Sequence, residues 1–229
     1  MKDIMLDLET MGNGPSAAIC AIGAVEFDLE SGELGREFYT IVNLESSVKA
    51  GGIIDAGTVL WWMKQSDAAR AELQSDGTDI ELALIRFNHW IDECGFAPKE
   101  LCIWGNGAAF DNVILRSAYE KTGIKTPWEF WGDRCYRTAK NLLPSIEMVR
   151  TGLHHCAVDD AIDQARHLIE LVRPNSLNMY KYWLDSDDVD KFKAWLISHE
   201  DDITNEINDF GELKGIFEQF IDRKPMCEA

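Results

Sequence analysis

The stretch Ile4-Met5-Leu6-Asp7-Leu8-Glu9 decides how this chain is read. Successive side chains of a strand leave opposite faces, so Ile4, Leu6 and Leu8 share one apolar face while Asp7 and Glu9 leave together from the other. Two carboxylates on one face repel each other. Without a cation one of them should hold its proton; with a divalent cation the pair becomes an oxygen-ligand site. Taken alone, the pair is more simply a solvated face of an edge strand. Outward from this segment, Ala17 to Phe27 and Arg36 to Val42 are two further apolar runs, with Gly12-Asn13-Gly14-Pro15 and Glu30-Ser31-Gly32 as turn signals between the runs. Three short strands joined by turns predict an antiparallel meander.

From Thr58 the period changes. Val59, Trp62 and Met63 fit one helical face, and Asp79 to Cys94 carries Ile80, Leu84, Phe87 and Ile91 at the spacing of an amphipathic helix. Glu100 to Gly105 is a short apolar run ended by Gly105-Asn106-Gly107, which predicts a buried strand, a loop, and then a helix from Asp111 to Lys121. A further helix is predicted over Asp159 to Val172, ended by Arg173-Pro174-Asn175. Beyond it the texture is different, alternating acidic clusters with apolar stripes: Ser186-Asp187-Asp188 suits a helix N-terminus, followed by Val189, Phe192, Trp195 and Leu196, then by Ile203, Ile207, Phe217 and Phe220. The expected organisation is a main domain over 1–174 and an acidic helical extension over 175–229 packed on it.

A chain of 229 residues, 46% hydrophobic and 27% charged, can bury a core of its own and is neither a disordered tail nor a collagen-like rod. No segment approaches the roughly 18 apolar residues of a membrane span, and the acidic start resembles no signal peptide. The expectation is a soluble, cytoplasmic protein. Cys20, Cys94, Cys102, Cys135, Cys156 and Cys227 are scattered without a CxxC pair, so reduced core thiols are expected rather than a zinc site. Forty acidic against 22 basic residues give a net charge of −18. That balance argues against a nucleic-acid partner unless carboxylates hold metal ions at the contact.

Two more segments carry acids at element ends. Trp104-Gly105-Asn106-Gly107-Ala108-Ala109-Phe110-Asp111 runs from a strand through a small-residue loop into a helix, and alone Asp111 is a capping acid. His154-His155-Cys156-Ala157-Val158-Asp159-Asp160-Ala161 leads into the late helix. Together with Asp7-Leu8-Glu9, these resemble the three exonuclease motifs of the DEDDh (DnaQ-like, RNase T-like) 3′→5′ exonuclease superfamily over roughly residues 1–172. The resemblance implies an α/β, ribonuclease-H-like fold: a five-stranded mixed sheet, antiparallel meander first, flanked by helices. The family pattern His-x-Ala-x-x-Asp-Ala is filled by His155, Ala157, Asp160 and Ala161; the His154/Asp159 register lacks the small residue after the acid. Cys156 stands where the superfamily's tyrosine variant would need Tyr.

A narrower resemblance adds detail. Thr58-Val59-Leu60-Trp61-Trp62-Met63-Lys64-Gln65-Ser66 is similar to a segment of the phage DexA-type exodeoxyribonucleases and their stand-alone exoribonuclease relatives, as is Phe130-Trp131-Gly132-Asp133-Arg134-Cys135-Tyr136-Arg137-Thr138. One of Trp61 and Trp62 is expected in the core, the other free to stack on a base. Arg134 and Arg137 read either as surface ion pairs or as phosphate contacts. The resemblance implies that Asp7, Glu9, Asp111 and Asp160 hold two Mg²⁺ or Mn²⁺ ions, that His155 is the general base, and that Thr10, Met11 and the loop at Asn106 lie near the terminal nucleotide. The substrate implied is the 3′ end of single-stranded nucleic acid, DNA favoured over RNA. A homodimer or protein partner could use the C-terminal helices. Two readings compete: a non-catalytic binding protein on the same fold, and an endonuclease of the wider ribonuclease-H-like group, which the late His-x-x-x-x-Asp opposes.

Overall fold

The structure, a computed structural model, describes residues 2–73, 76–143 and 146–183. The chain divides into one unit over Met1–Arg173 and a second over Pro174–Ala229. The first unit is built on a five-stranded sheet. The meander forms as its alternation predicts: β1 (Lys2–Thr10), β2 (Ile19–Phe27) and β3 (Leu34–Ile41) pair antiparallel in sequence order. Four helices follow: α1 (Leu44–Lys49), α2 (Ala56–Trp62), α3 (Asp67–Glu72) and α4 (Ile80–Glu93). Each starts on a capping side chain, Asn43, Asp55, Ser66 and Asp79, that accepts a free first-turn amide. β4 (Leu101–Gly105) then returns parallel to β1. After α5 (Asp111–Thr122), the short β5 (Asp133–Cys135) adds parallel to β4, and α6 (Tyr136–Leu142) and α7 (Ala157–Trp183) complete the order.

The strand order β3-β2-β1-β4-β5 puts β1 at the centre. The edge-strand reading of the Asp7/Glu9 pair is thereby excluded. Both faces of β1 are covered: Ile4, Leu6 and Leu8 pack with α4 and α5 residues such as Leu84, Phe87, Ile114 and Leu115, whereas Met5 packs on the other face with Ala161, Ala165 and Leu168 of α7. Asp7 and Glu9 continue that second face. Of the helix predicted from Thr58, Trp62 is buried, but Met63 is exposed. Helix α7 does not end at Arg173-Pro174-Asn175 as predicted but runs to Trp183. A proline removes one amide and crowds the carbonyl four residues back, which can bend a helix without terminating it. The short elements α1, β5 and α6 carry too few residues to show a period. Cys20, Cys102 and Cys156 are buried thiols, as expected, while Cys94 and Cys135 are half-buried. Among the described residues no helix is long and apolar enough to cross a membrane. The stripes at Val189–Leu196 and Ile203–Phe220, and a dimer or partner surface on them, lie outside the described residues.

Candidate active site

Where β4 runs out at Gly105, opposite Leu6, the amide of Leu8 has no strand partner on that side. Asp111 Oδ1 accepts it at 3.3 Å, which draws the first residue of α5 against β1 between Asp7 and Glu9. The approach needs Gly105: a Cβ there would sit 2.4 Å from Asn112 Oδ1 and 3.0 Å from Asp111 Cβ. Asn112 locks the same turn by donating to Ile103 O and to Asp133 Oδ1, both at 2.9 Å. The opposite wall is the start of α7, which lies directly on β2. A Cβ on Gly23 would come within 2.1 Å of the Ala157 carbonyl carbon and 2.2 Å of Val158 N. That contact sets Asp160 over the sheet.

The loop before α7 is tied along the helix. Asp159 Oδ2 accepts Leu153 N–H, Asp160 Oδ2 accepts His155 N–H at 3.0 Å, Asp163 accepts the amide and hydroxyl of Thr151, and His167 Nε2 lies 2.8 Å from Ile146 O. The carbonyl can only accept, so His167 donates from Nε2, and its Nδ1 lies 2.6 Å from the Tyr136 hydroxyl. His155 has φ 67°, the left-handed region, and is alone in this among the described non-glycine residues. Such a conformation costs about 1–3 kcal/mol and persists where surrounding contacts over-determine it. The Asp160 bond is one of those contacts. The His155 ring stacks on His154 at 3.8 Å and meets Trp61 and Trp62 edge-on at 4.9 and 5.8 Å.

These residues line an open cleft of about 350 Å³: Asp7, Glu9, Asp111 and Asp160, with both histidines, Trp61, Asn106 and Arg137 among its walls. Carboxylate oxygens of Asp7, Glu9 and Asp160 lie within 4.8 Å of one another, and a second set within that reach joins His154, His155 and Asp160. The electrostatics follow from crowding. Burial, then Asp111, Glu9 and Asp160, push the Asp7 carboxyl well above the usual carboxylate range. Burial, with Asp160 and Asp111, raises Glu9 to about 8. Burial raises Asp111 to about 7, against the Leu8 amide and Arg137, which favour its charged form. His155 is held below the ordinary histidine value by burial first and by His154 second. Buried acids that oppose one another's ionisation, with all-oxygen donors in reach of a common point, suit a hard divalent cation.

The other residues singled out in the sequence fall into two groups. Trp61 is exposed at 43% and faces the cleft, whereas Trp62 is buried and donates its indole N–H to Thr10 O at 2.9 Å. Arg137 and Asn106 line the cleft together, the guanidinium donating to Asn106 O at 2.6 Å. Thr10 is buried, its hydroxyl spent on Gly12 O; Met11 and Arg134 do not line the cleft, and Arg134 donates to Trp131 O and Asp133 O. The sequence reading overlooked two polar cleft residues. Arg150 is ion-paired with Asp160, and no motif marks it. Gln164, four residues after Asp160 and so on the same face of α7, could have been found from helical spacing.

The sheet order, with four acids and a histidine in one cleft, is the arrangement expected from the resemblance to the DEDDh class of 3′→5′ exonucleases. The family model of the Rv2179c-like 3′-5′ exoribonuclease domain matches residues 2–172, and the chain belongs to that family. The chain is 27% identical over 160 residues to the exodeoxyribonuclease of Enterobacteria phage T4, covering 60% of this chain and 70% of the phage protein. Among solved structures, the nuclease domain of 3′hExo, a DEDDh family member bound to rAMP, has a TM-score of 0.53 at 14% identity over 76% of this chain and 92% of that one. E. coli Exonuclease I in complex with a dT13 oligonucleotide has a TM-score of 0.55 at 15% identity over 79% of this chain; the match spans 43% of the E. coli protein. These two likenesses concern the fold.

Proposed function

We propose that this exonuclease removes nucleotides one at a time from the 3′ end of single-stranded nucleic acid in a divalent-metal-dependent reaction, with Asp7, Glu9, Asp111 and Asp160 as metal ligands and His155 as general base. The observation that carries the reading is the convergence of Asp7, Glu9 and Asp160 oxygens within 4.8 Å beneath a half-buried histidine held in the left-handed region. Asp7, Glu9 and Asp160 would hold one ion, and Asp7 with Asp111 the other. Mg²⁺ or Mn²⁺ in such a pair would neutralise charge on the attacking and leaving oxygens. His155, kept neutral by its surroundings, takes a proton from the attacking water. The water oxygen bonds to phosphorus as the P–O3′ bond breaks and O3′ takes up a proton from solvent, leaving a 5′-mononucleotide and a strand shortened by one that ends in a 3′-hydroxyl. Trp61 offers an exposed face for a base, and Arg137 a guanidinium for a phosphate.

DNA is the favoured substrate, supported by the exodeoxyribonuclease relative and by the Trp61 and Arg137 segments. RNA is the second reading, supported by the family's exoribonuclease description. Matched 5′-labelled DNA and RNA oligonucleotides degraded in parallel separate the two. A faster descending ladder on DNA is expected; a faster one on RNA selects the second reading.

A further inference from the structure

Helix α7 delivers a second group to the cleft one turn beyond Asp160. Gln164 is 4% exposed, and its Nε2 donates to Asp7 Oδ1 at 2.8 Å. Its Oε1 lies fully buried with no partner, although the residue lines the cleft. Buried acceptors left without a partner are uncommon in folded proteins, so a retained one points to a donor that arrives with ligand. With Nε2 turned to Asp7, Oε1 faces away from it, and an Asp7 carboxylate ionised by a bound cation can only accept, which keeps that orientation in the loaded cleft.

We propose that Gln164 is a positioning residue for the reaction: it fixes the rotation of the Asp7 carboxylate so that Oδ2 is free to face Glu9 and Asp160, and it presents Oε1 to a donor in the loaded cleft. Groups that orient a metal ligand from behind typically contribute 10–100-fold to affinity or rate. The inference rests on the metal-ligand reading of Asp7. Gln164→Met keeps length and volume but loses the bond to Asp7 and the Oε1 acceptor. Gln164→Asn keeps the amide but is one methylene short of Asp7.

The full-length protein and both variants are compared by Mn²⁺ binding, followed by electron paramagnetic resonance, and by steady-state cleavage of a single-stranded oligonucleotide, with thermal melting as the control for folding. In both variants Mn²⁺ affinity is expected to fall 10–100-fold and kcat to fall comparably, with KM for the oligonucleotide within twofold. Should the Met variant fail to fold, the Asn variant carries the test alone. Wild-type Mn²⁺ affinity and kcat in a folded variant overturn the inference, as does a change confined to KM or melting temperature. Asp7→Ala is run alongside. If it retains activity, the metal-ligand reading itself has failed; if it is inactive while the Gln164 variants behave as wild type, only the Gln164 inference has.

Discussion

At the scale of single residues, the carboxylates behave against their usual direction. A surface Asp or Glu loses its proton far below neutrality, yet burial, with Asp160 and Asp111, raises Glu9 to about 8, and burial raises Asp111 to about 7. Each therefore binds its proton more tightly folded than unfolded. Their contribution to stability is present at acid pH and is lost as pH rises from the ordinary carboxylate range, about 4, towards 8. In chelator, the melting temperature should decline over that window; Mg²⁺ or Mn²⁺ should restore it most strongly at the alkaline end. A cation effect that is flat with pH would argue against metal at these acids. For His155, replacement by Ala should lower turnover by about 10²–10⁴-fold, whereas His154→Ala should cost less than about tenfold. The acid limb of the wild-type pH profile should lie below about 6.5, because His155 is shifted down, and should vanish in His155→Ala. If His154 is the sensitive one, the register of the histidine motif is wrong.

At the scale of elements, what positions the site is the close approach of helix starts to strands. Gly23→Val forces α7 away from β2, since even a Cβ would overlap the Ala157 carbonyl carbon. The expected outcome is about 1–3 kcal/mol of lost stability, as overpacking typically costs, together with weakened metal binding because Asp160 moves with the helix. Denaturant unfolding and Mn²⁺ titration of the same variant check both; a stable variant with unaltered metal affinity would show that α7 is placed by other contacts. Much of this was legible in the chain. Alternation around Asp7 and Glu9 marked β1 and its two acids, the glycine after Trp104 marked the end of β4, and the resemblance to the exonuclease motifs singled out Asp111, His155 and Asp160 at the helix starts. The misreadings have physical causes. Pro174 signals a stop only in the absence of enough helix on both sides, and α1, β5 and α6 are shorter than the window in which a period can be seen. Thr10 and Trp62 sit beside motif residues, but their polar atoms are used inside the protein, which sequence spacing cannot reveal. Arg150 reaches Asp160 from an irregular loop, where no periodicity exists to be read.

At the scale of the whole molecule, the charge of −18 sets the character of substrate binding. Four of the acids converge on the cleft, and the basic groups beside them, Arg137 and Arg150, act over a few ångströms. The field of the chain as a whole repels a polyanion, so binding should concentrate at a strand end where the cations and these arginines operate, and long internal duplex should bind weakly. Raising salt should weaken oligonucleotide binding with a shallow slope, reflecting few phosphate contacts, and tight metal-free binding to internal duplex would contradict this picture. The central claim is that the carboxylates of this cleft run a metal-dependent reaction from the 3′ end. Its most direct test is gel analysis of a 5′-labelled single strand incubated with Mg²⁺ or Mn²⁺, with chelator, and with the Asp7→Ala protein. With metal and the native chain, a ladder that descends one nucleotide at a time is expected, with intact strand in the other two lanes. Internal fragments, or a ladder that survives chelation or the loss of Asp7, would contradict that claim.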